Sequence, residues 1–233
     1  MLGIARPAAA GEGGAAAAAL PVAHVDETYP VHVGAALDPG LTRWMWLVKW
    51  FLAIPHVVVL AFLWVAVWVL TVVAFFAILF TGRYPRSIFD FTVGVLQWTW
   101  RVGFYAFSVL GTDRYPPFTL APVPEYPATL EVPYPEQLSR GLVLVKWWLL
   151  AIPHYIVLGI MFGNPGWVGD VWRIEGPSLN TVLVVIGVVV LLFRGRYPRE
   201  VFDFVAGMNR WALRVAAYAL LLRDEYPPFR LGD

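Results

Sequence analysis

Apolar positions dominate this chain in long blocks, and the polar positions fall between them in a repeated order. An unbroken apolar run from Val57 to Phe80 is long enough to cross a hydrocarbon core of about 30 Å. A second apolar stretch starts at Tyr155, stops at Phe162, and resumes from Leu179 to Phe193. The intervening 163–178 insert carries Asn164, Pro165, Asp170, Arg173, Glu175 and Pro177, and it needs water, because irregular backbone is not tolerated against lipid. The pattern predicts an all-α integral membrane protein with four to six membrane-embedded helices. Residues 1–28, rich in Ala and Gly, read as a disordered leader.

Two copies of one string set the organisation. Gly82-Arg83-Tyr84-Pro85-Arg86, then Phe89-Asp90-Phe91 and Arg101, recurs with identical spacing as Gly195-Arg196-Tyr197-Pro198-Arg199, Phe202-Asp203-Phe204 and Arg214. Upstream of each lies Ile-Pro-His, at Ile54-Pro55-His56 and Ile152-Pro153-His154, where proline makes the helix kink or restart. Downstream lies Asp-x-Tyr-Pro-Pro-Phe, beginning at Asp113 and Asp224. Two tandem repeats follow, 29–120 and 121–233. Short extended Tyr-Pro segments, Tyr29 to Val33 and Tyr126 to Val132, open them outside the bilayer.

The halves give conflicting signals about the apolar stretch. A surface insert after Pro153 implies a tight helical hairpin over Arg43 to Phe80 if the halves are equivalent. The unbroken run in the first half implies one long span. A third helix is predicted in each half, Phe89 to Leu110 and Phe202 to Leu222. On the first of these, Asp90, Gly94, Gln97, Arg101, Tyr105 and Ser108 form one polar stripe, with Asp90 and Arg101 only about 20° apart around the axis and about 16 Å apart along it. Asp203, Gly207, Arg210, Arg214 and Tyr218 trace its counterpart. Such a stripe faces a bundle interior or lies in the headgroups.

Composition sharpens this picture. A 59% hydrophobic, 14% charged chain with twelve Trp and ten Tyr suits the membrane–water boundary. Net charge of +1 gives no case for nucleic acid. Without cysteine there is no disulfide and no thiolate chemistry. The basic residues are fifteen Arg and two Lys, Lys49 and Lys146, at equivalent places beside Trp. Arginine-dense loops, Arg83, Tyr84, Pro85, Arg86 and Arg196, Tyr197, Pro198, Arg199, read as interfacial hinges on the cytoplasmic side, with tyrosine as the interfacial anchor. Gly94 and Gly207 read as places of close helix approach.

The combination of IPH, GRYPR, FDF, an Arg-bearing helix and D-x-YPPF resembles an uncharacterised bacterial membrane family, domain of unknown function 4389. That resemblance covers nearly everything from Tyr29 to Leu231 and implies membrane residence and little more; no cofactor is expected.

For chemistry, the candidate polar membrane site comprises Asp90, Gln97, Arg101, Asp203, Arg210, Arg214, His56 and His154. Arg101 and Arg214 would serve an anion, headgroup or proton site, or else a structural ion pair with Asp90 or Asp203 of the other half. His56 and His154 would relay protons, or simply satisfy a local carbonyl. No phosphate loop, nucleophile elbow, zinc helix or cofactor motif is present. The expected role is therefore a non-enzymatic, multi-pass cell-membrane protein. It would be a structural or accessory component whose partners are the bilayer and a second copy or a membrane complex. The alternatives are a small transporter, channel or lipid-handling protein using the stripes, and a lipid-modifying enzyme using the histidines.

Overall fold

A computed structural model describes residues 29–163 and 177–232. The expected leader and nearly all of the insert lie outside the described residues. The fold is mostly helical, with strands β1 (His32–Ala35) and β2 (Ala128–Glu131). Its helices are α1 (Met45–Thr81), α2 (Arg86–Val102), α3 (Ile152–Phe162), α4 (Leu179–Arg194) and α5 (Arg199–Ala219).

Helix α1 is one continuous rod of 37 residues, so the helical hairpin is not formed. It passes through Pro55 without a break, whereas Pro153 stands in the first turn of α3, where its missing N–H has no helical partner to lose. Among the described residues α1 is the one helix long and apolar enough to cross a membrane. Its buried positions, Lys49, Ala53, His56, Leu60, Val67, Ala74 and Ile78, recur at intervals of three, four and seven, which draws one stripe along a helix. Much of its remaining surface is exposed and apolar.

In the second repeat, α3 and α4 together retrace the path of α1. A Cβ built on Gly163 would lie 3.5 Å from the Ser178 Cβ, so the insert leaves and returns at one point. Both rods end on a glycine in the left-handed region, Gly82 (φ 71°) and Gly195 (φ 70°), which turns the chain into α2 and α5.

Helix α2 runs back along α1. Trp64 Nε1 donates to Thr99 Oγ1 at 3.0 Å and Trp98 Nε1 to His56 Nδ1 at 3.0 Å. It is shorter than the predicted third helix, ending at Val102 in a π-helical turn, Gly103–Phe107, while α5 continues to Ala219. Both rods are then reversed at a leucine with positive φ, Leu110 (59°) and Leu221 (66°). A branched side chain there costs on the order of 1 kcal/mol, and its recurrence shows that the reversal is required in both repeats.

A pseudo-twofold axis relates the halves. Strands β1 and β2 pair antiparallel with Val33 opposite Leu130, the positions equivalent under the duplication. Helices α2 and α5 are antiparallel neighbours. Tyr84, before α2, donates to the Leu220 carbonyl after α5 (3.4 Å), and Phe104, after α2, meets Phe202 in the first turn of α5. Leu138 N donates to Gly82 O (2.8 Å), and Arg43 packs on Gly195, so α1 and the α3–α4 rod also run antiparallel.

Each strand docks on the other repeat. Arg210 Nε donates to Val33 O (3.1 Å), and Gln97 Nε2 to Leu130 O (2.8 Å). Tyr29 and Tyr126, which precede the strands, lie against Arg214 and Arg101 in the same exchanged fashion. On α2, Thr99 lies about 180° from the Asp90–Arg101 stripe. Helix α1 and the strand pair therefore cover opposite sides of α2, and three layers result: α1 with α3–α4, then α2 with α5, then the strands and tails.

Candidate functional site

The stripe residues do not act as one polar site. Arg101, only 2% exposed, sends Nη1 to Ala121 O (3.1 Å) and Nη2 to Thr119 O. Arg214, equally buried, donates to Gly232 O at 2.8 Å, the position equivalent to Ala121. The guanidiniums thus clamp the extended tails after each Tyr-Pro-Pro-Phe. Neither forms the expected ion pair with an aspartate of the other half. Asp90 instead pairs with Arg86 (3.2 Å) and Asp203 with Arg199 (4.0 Å), both on exposed first turns. The reason is spacing: at i,i+4 the loop arginine reaches the aspartate, while Arg101 is three turns away and meets the tail first.

Gly94 and Gly207 serve the same tails. A Cβ on Gly94 would stand 2.8 Å from Leu120 O, and one on Gly207 would stand 2.9 Å from Leu231 O. The close approach is of strand-like tail to helix, not helix to helix. A groove of about 530 Å³ remains beside this tail, with Asp90, Gly94, Gln97 and Tyr134 among its walls.

His56 and His154 are fully buried in matching aromatic cages. His56 stacks on Phe118 at 3.8 Å and contacts Tyr115 and Trp98, while His154 stacks on Phe229 at 4.2 Å beside Tyr226 and Trp211. His56 takes its hydrogen bond from an indole and not from a local carbonyl. These rings fasten the Tyr-Pro-Pro-Phe motif to α1 and α3, which explains why both motifs recur together. Among the described residues no group of three or more His, Asp or Glu side chains could hold a metal ion.

The loop tyrosines differ from the interfacial expectation. Tyr84 and Tyr197 are buried at 1% and 7% exposure, with Pro85 and Pro198 in extended conformation at the start of α2 and α5. Tyr84 bridges the repeats through Leu220. Arg83 is exposed, and Arg86 covers the Tyr134 ring at 4.5 Å. Arg196 lies at the other end of the molecule, beside Gly195.

Two ion pairs went unrecognised in the sequence. Lys49 Nζ lies 2.8 Å from Asp113 Oδ1 and 2.7 Å from Thr112 O. Lys146 Nζ lies 2.7 Å from Asp224 Oδ1 and 3.0 Å from Arg223 O. Tyr105 and Tyr218 place their rings 5.3 and 5.6 Å from the ammoniums. The signal was present: the chain's two lysines and the two Asp-x-Tyr-Pro-Pro-Phe aspartates are duplicated together.

Burial pushes the Asp113 carboxyl up, but hydrogen bonds from Lys49 and the Thr42 N–H outweigh it and hold the group below its usual value. Its contribution to stability is complete above the unfolded-state value of about 4 and is lost as pH falls through the lower folded value. Thermal unfolding in detergent is expected to drop as pH falls below about 4, with Asp113→Asn flattening that dependence. An unchanged profile in the variant would show that other carboxylates carry it.

These features define a duplicated helical protein whose repeated polar motifs build its own frame, with one helix suited to a membrane. The chain belongs to the family described as domain of unknown function (DUF4389), whose profile matches residues 43–119 and 177–230, one segment in each repeat. No curated protein and no solved structure matches it.

Proposed function

We propose that the chain is a membrane-resident protein without a catalytic site, acting as a structural or accessory component of a membrane assembly. The observation that carries this reading is the use of the stripe. Gln97, Arg101, Arg210 and Arg214 all donate to backbone carbonyls of their own chain. A transport path needs polar groups that exchange partners with a cargo, and these hold the tails and strands in place. Membrane residence is supported by the exposed apolar surface of α1, where Phe62, Val65, Trp68 and Phe80 stand 63–75% exposed.

The test is purification of the tagged full chain from native membranes in mild detergent. Resistance to alkaline carbonate and co-elution with a membrane complex well above its own 26.1 kDa are the expected results. Elution as a free monomer would overturn the accessory role. Solute flux in proteoliposomes that disappears in an Arg101→Gln, Arg214→Gln variant with an unchanged unfolding temperature would favour the transporter or lipid-handling reading.

A further inference from the structure

We propose that the protein sits in one leaflet with its pseudo-twofold axis along the membrane normal. The α1 and α3–α4 rods then lie parallel to the bilayer plane with their outer faces in the acyl chains. The strand pair and both arginine loops face one aqueous side. This rests on membrane residence and specifies its geometry, with no helix crossing in place of four to six.

Three observations choose this seating over upright helices. The first is the place of the strands. The dyad passes through Val33 and Leu130, which dock at the middle of α5 and α2. In an upright molecule that axis would lie in the membrane plane, so the strand pair would stand at mid-bilayer. The register of the pair puts exposed His32 against exposed Glu131. An exposed carboxylate at that depth costs several kcal/mol. With the axis along the normal, the strand layer is the one farthest from the acyl chains.

The second is the insert. It leaves the α3–α4 rod at Gly163 and rejoins it at Ser178, a point that corresponds to the middle of α1. A 37-residue helix is about 55 Å long, so the middle of an upright rod falls in the hydrocarbon. The sequence between these two residues includes Asp170, Arg173 and Glu175, charged groups that need water. A rod lying in the plane keeps one depth along its whole length, so Gly163 and Ser178 need not stand at the bilayer centre.

The third is charge. Because the rods are antiparallel, Arg83, Arg86 and Arg140 gather at one end of the molecule, and Arg43, Arg194, Arg196 and Arg199 at the other. Upright, the molecule would divide its arginines between the two sides of the membrane, against the usual bias toward the cytoplasm. Flat, it sets all seven at one interface, where each adjacent anionic headgroup contributes about 1 kcal/mol of attraction. The surface thus fits a phospholipid leaflet carrying anionic headgroups.

The absence of cysteine gives a clean background for the test. Ser87 and Glu200 are equivalent exposed positions at opposite ends. Ser87→Cys and Glu200→Cys in the full chain are treated with a membrane-impermeant maleimide, in intact cells and in inverted vesicles. Both are expected to react from the same side. Val58, Val69 and Phe80 lie on one exposed face of α1. Spin labels at cysteines placed there, in vesicles of zwitterionic and anionic phospholipid, are expected to report one depth. Opposite-side labelling, or a depth that passes through the bilayer centre from Val58 to Phe80, overturns the seating while leaving membrane residence intact. Release of the chain by alkaline carbonate removes both.

Discussion

Arg101→Leu is expected to lower the stability of the detergent-solubilised protein by about 3 kcal/mol, because it strands buried carbonyls and releases the tail they belong to. The wild-type guanidinium holds Ala121 O and Thr119 O, and the tail it fixes lies in contact with Gly94. Loss of the clamp is therefore read twice, as a lower unfolding midpoint and as faster proteolysis between 119 and 125. Arg101→Lys recovers only part of the loss, since one ammonium cannot reproduce two donors in a fixed fork. Asp90→Asn provides the contrast. Its partner Arg86 is exposed, with side-chain exposure of 66% against 57% for the aspartate, so the change stays within about 0.5 kcal/mol. Equal effects of Arg101→Leu and Asp90→Asn would mean that Arg101 and Asp90 act as a pair, as their shared helix face alone would suggest.

That contrast shows where sequence patterning carries and where it stops. The duplication, the family resemblance, the helical character and the apolar run of α1 are all visible from spacing and hydropathy. Helical periodicity also placed Asp90, Gln97 and Arg101 on one face, correctly. It could not identify what covers that face, because the tail at 119–124 and strand β2 are short, irregular and close in sequence to α2 without any period of their own. The exchange of strands between repeats was hidden for a related reason. A four-residue strand carries little pattern, and nothing in Val31-His32-Val33 says that its partner is Arg210 and not Gln97. Burial of Tyr84 illustrates the limit of composition. Tyr-Pro at a basic loop looks interfacial, yet the ring is drawn inward because the antiparallel α5 ends beside it and offers the Leu220 carbonyl.

Lys146→Met is expected to cost about 2–3 kcal/mol, because Arg223 O loses its donor and the Asp224 carboxylate, a quarter exposed, loses its counter-ion. The ammonium is fully buried and lies 2.7 Å from its carboxylate. What matters in such a site is the unpaired partner, so Lys146→Met combined with Asp224→Asn recovers a large part of the loss. Asn keeps an acceptor for the Ser139 N–H, which donates to Asp224 Oδ2 at 2.6 Å. Lys49→Met repeats the effect through Asp113 and the Thr42 N–H, at the opposite end of the molecule. Separate sites add within about 0.5 kcal/mol, so the double lysine variant should lose the sum of the two if the protein unfolds as one unit. A loss smaller than the sum, with two unfolding steps, would show that the repeats melt separately. That outcome would conflict with the strand exchange, since β1 is anchored on α5 and β2 on α2, and neither repeat keeps its own covering layer once the other is gone.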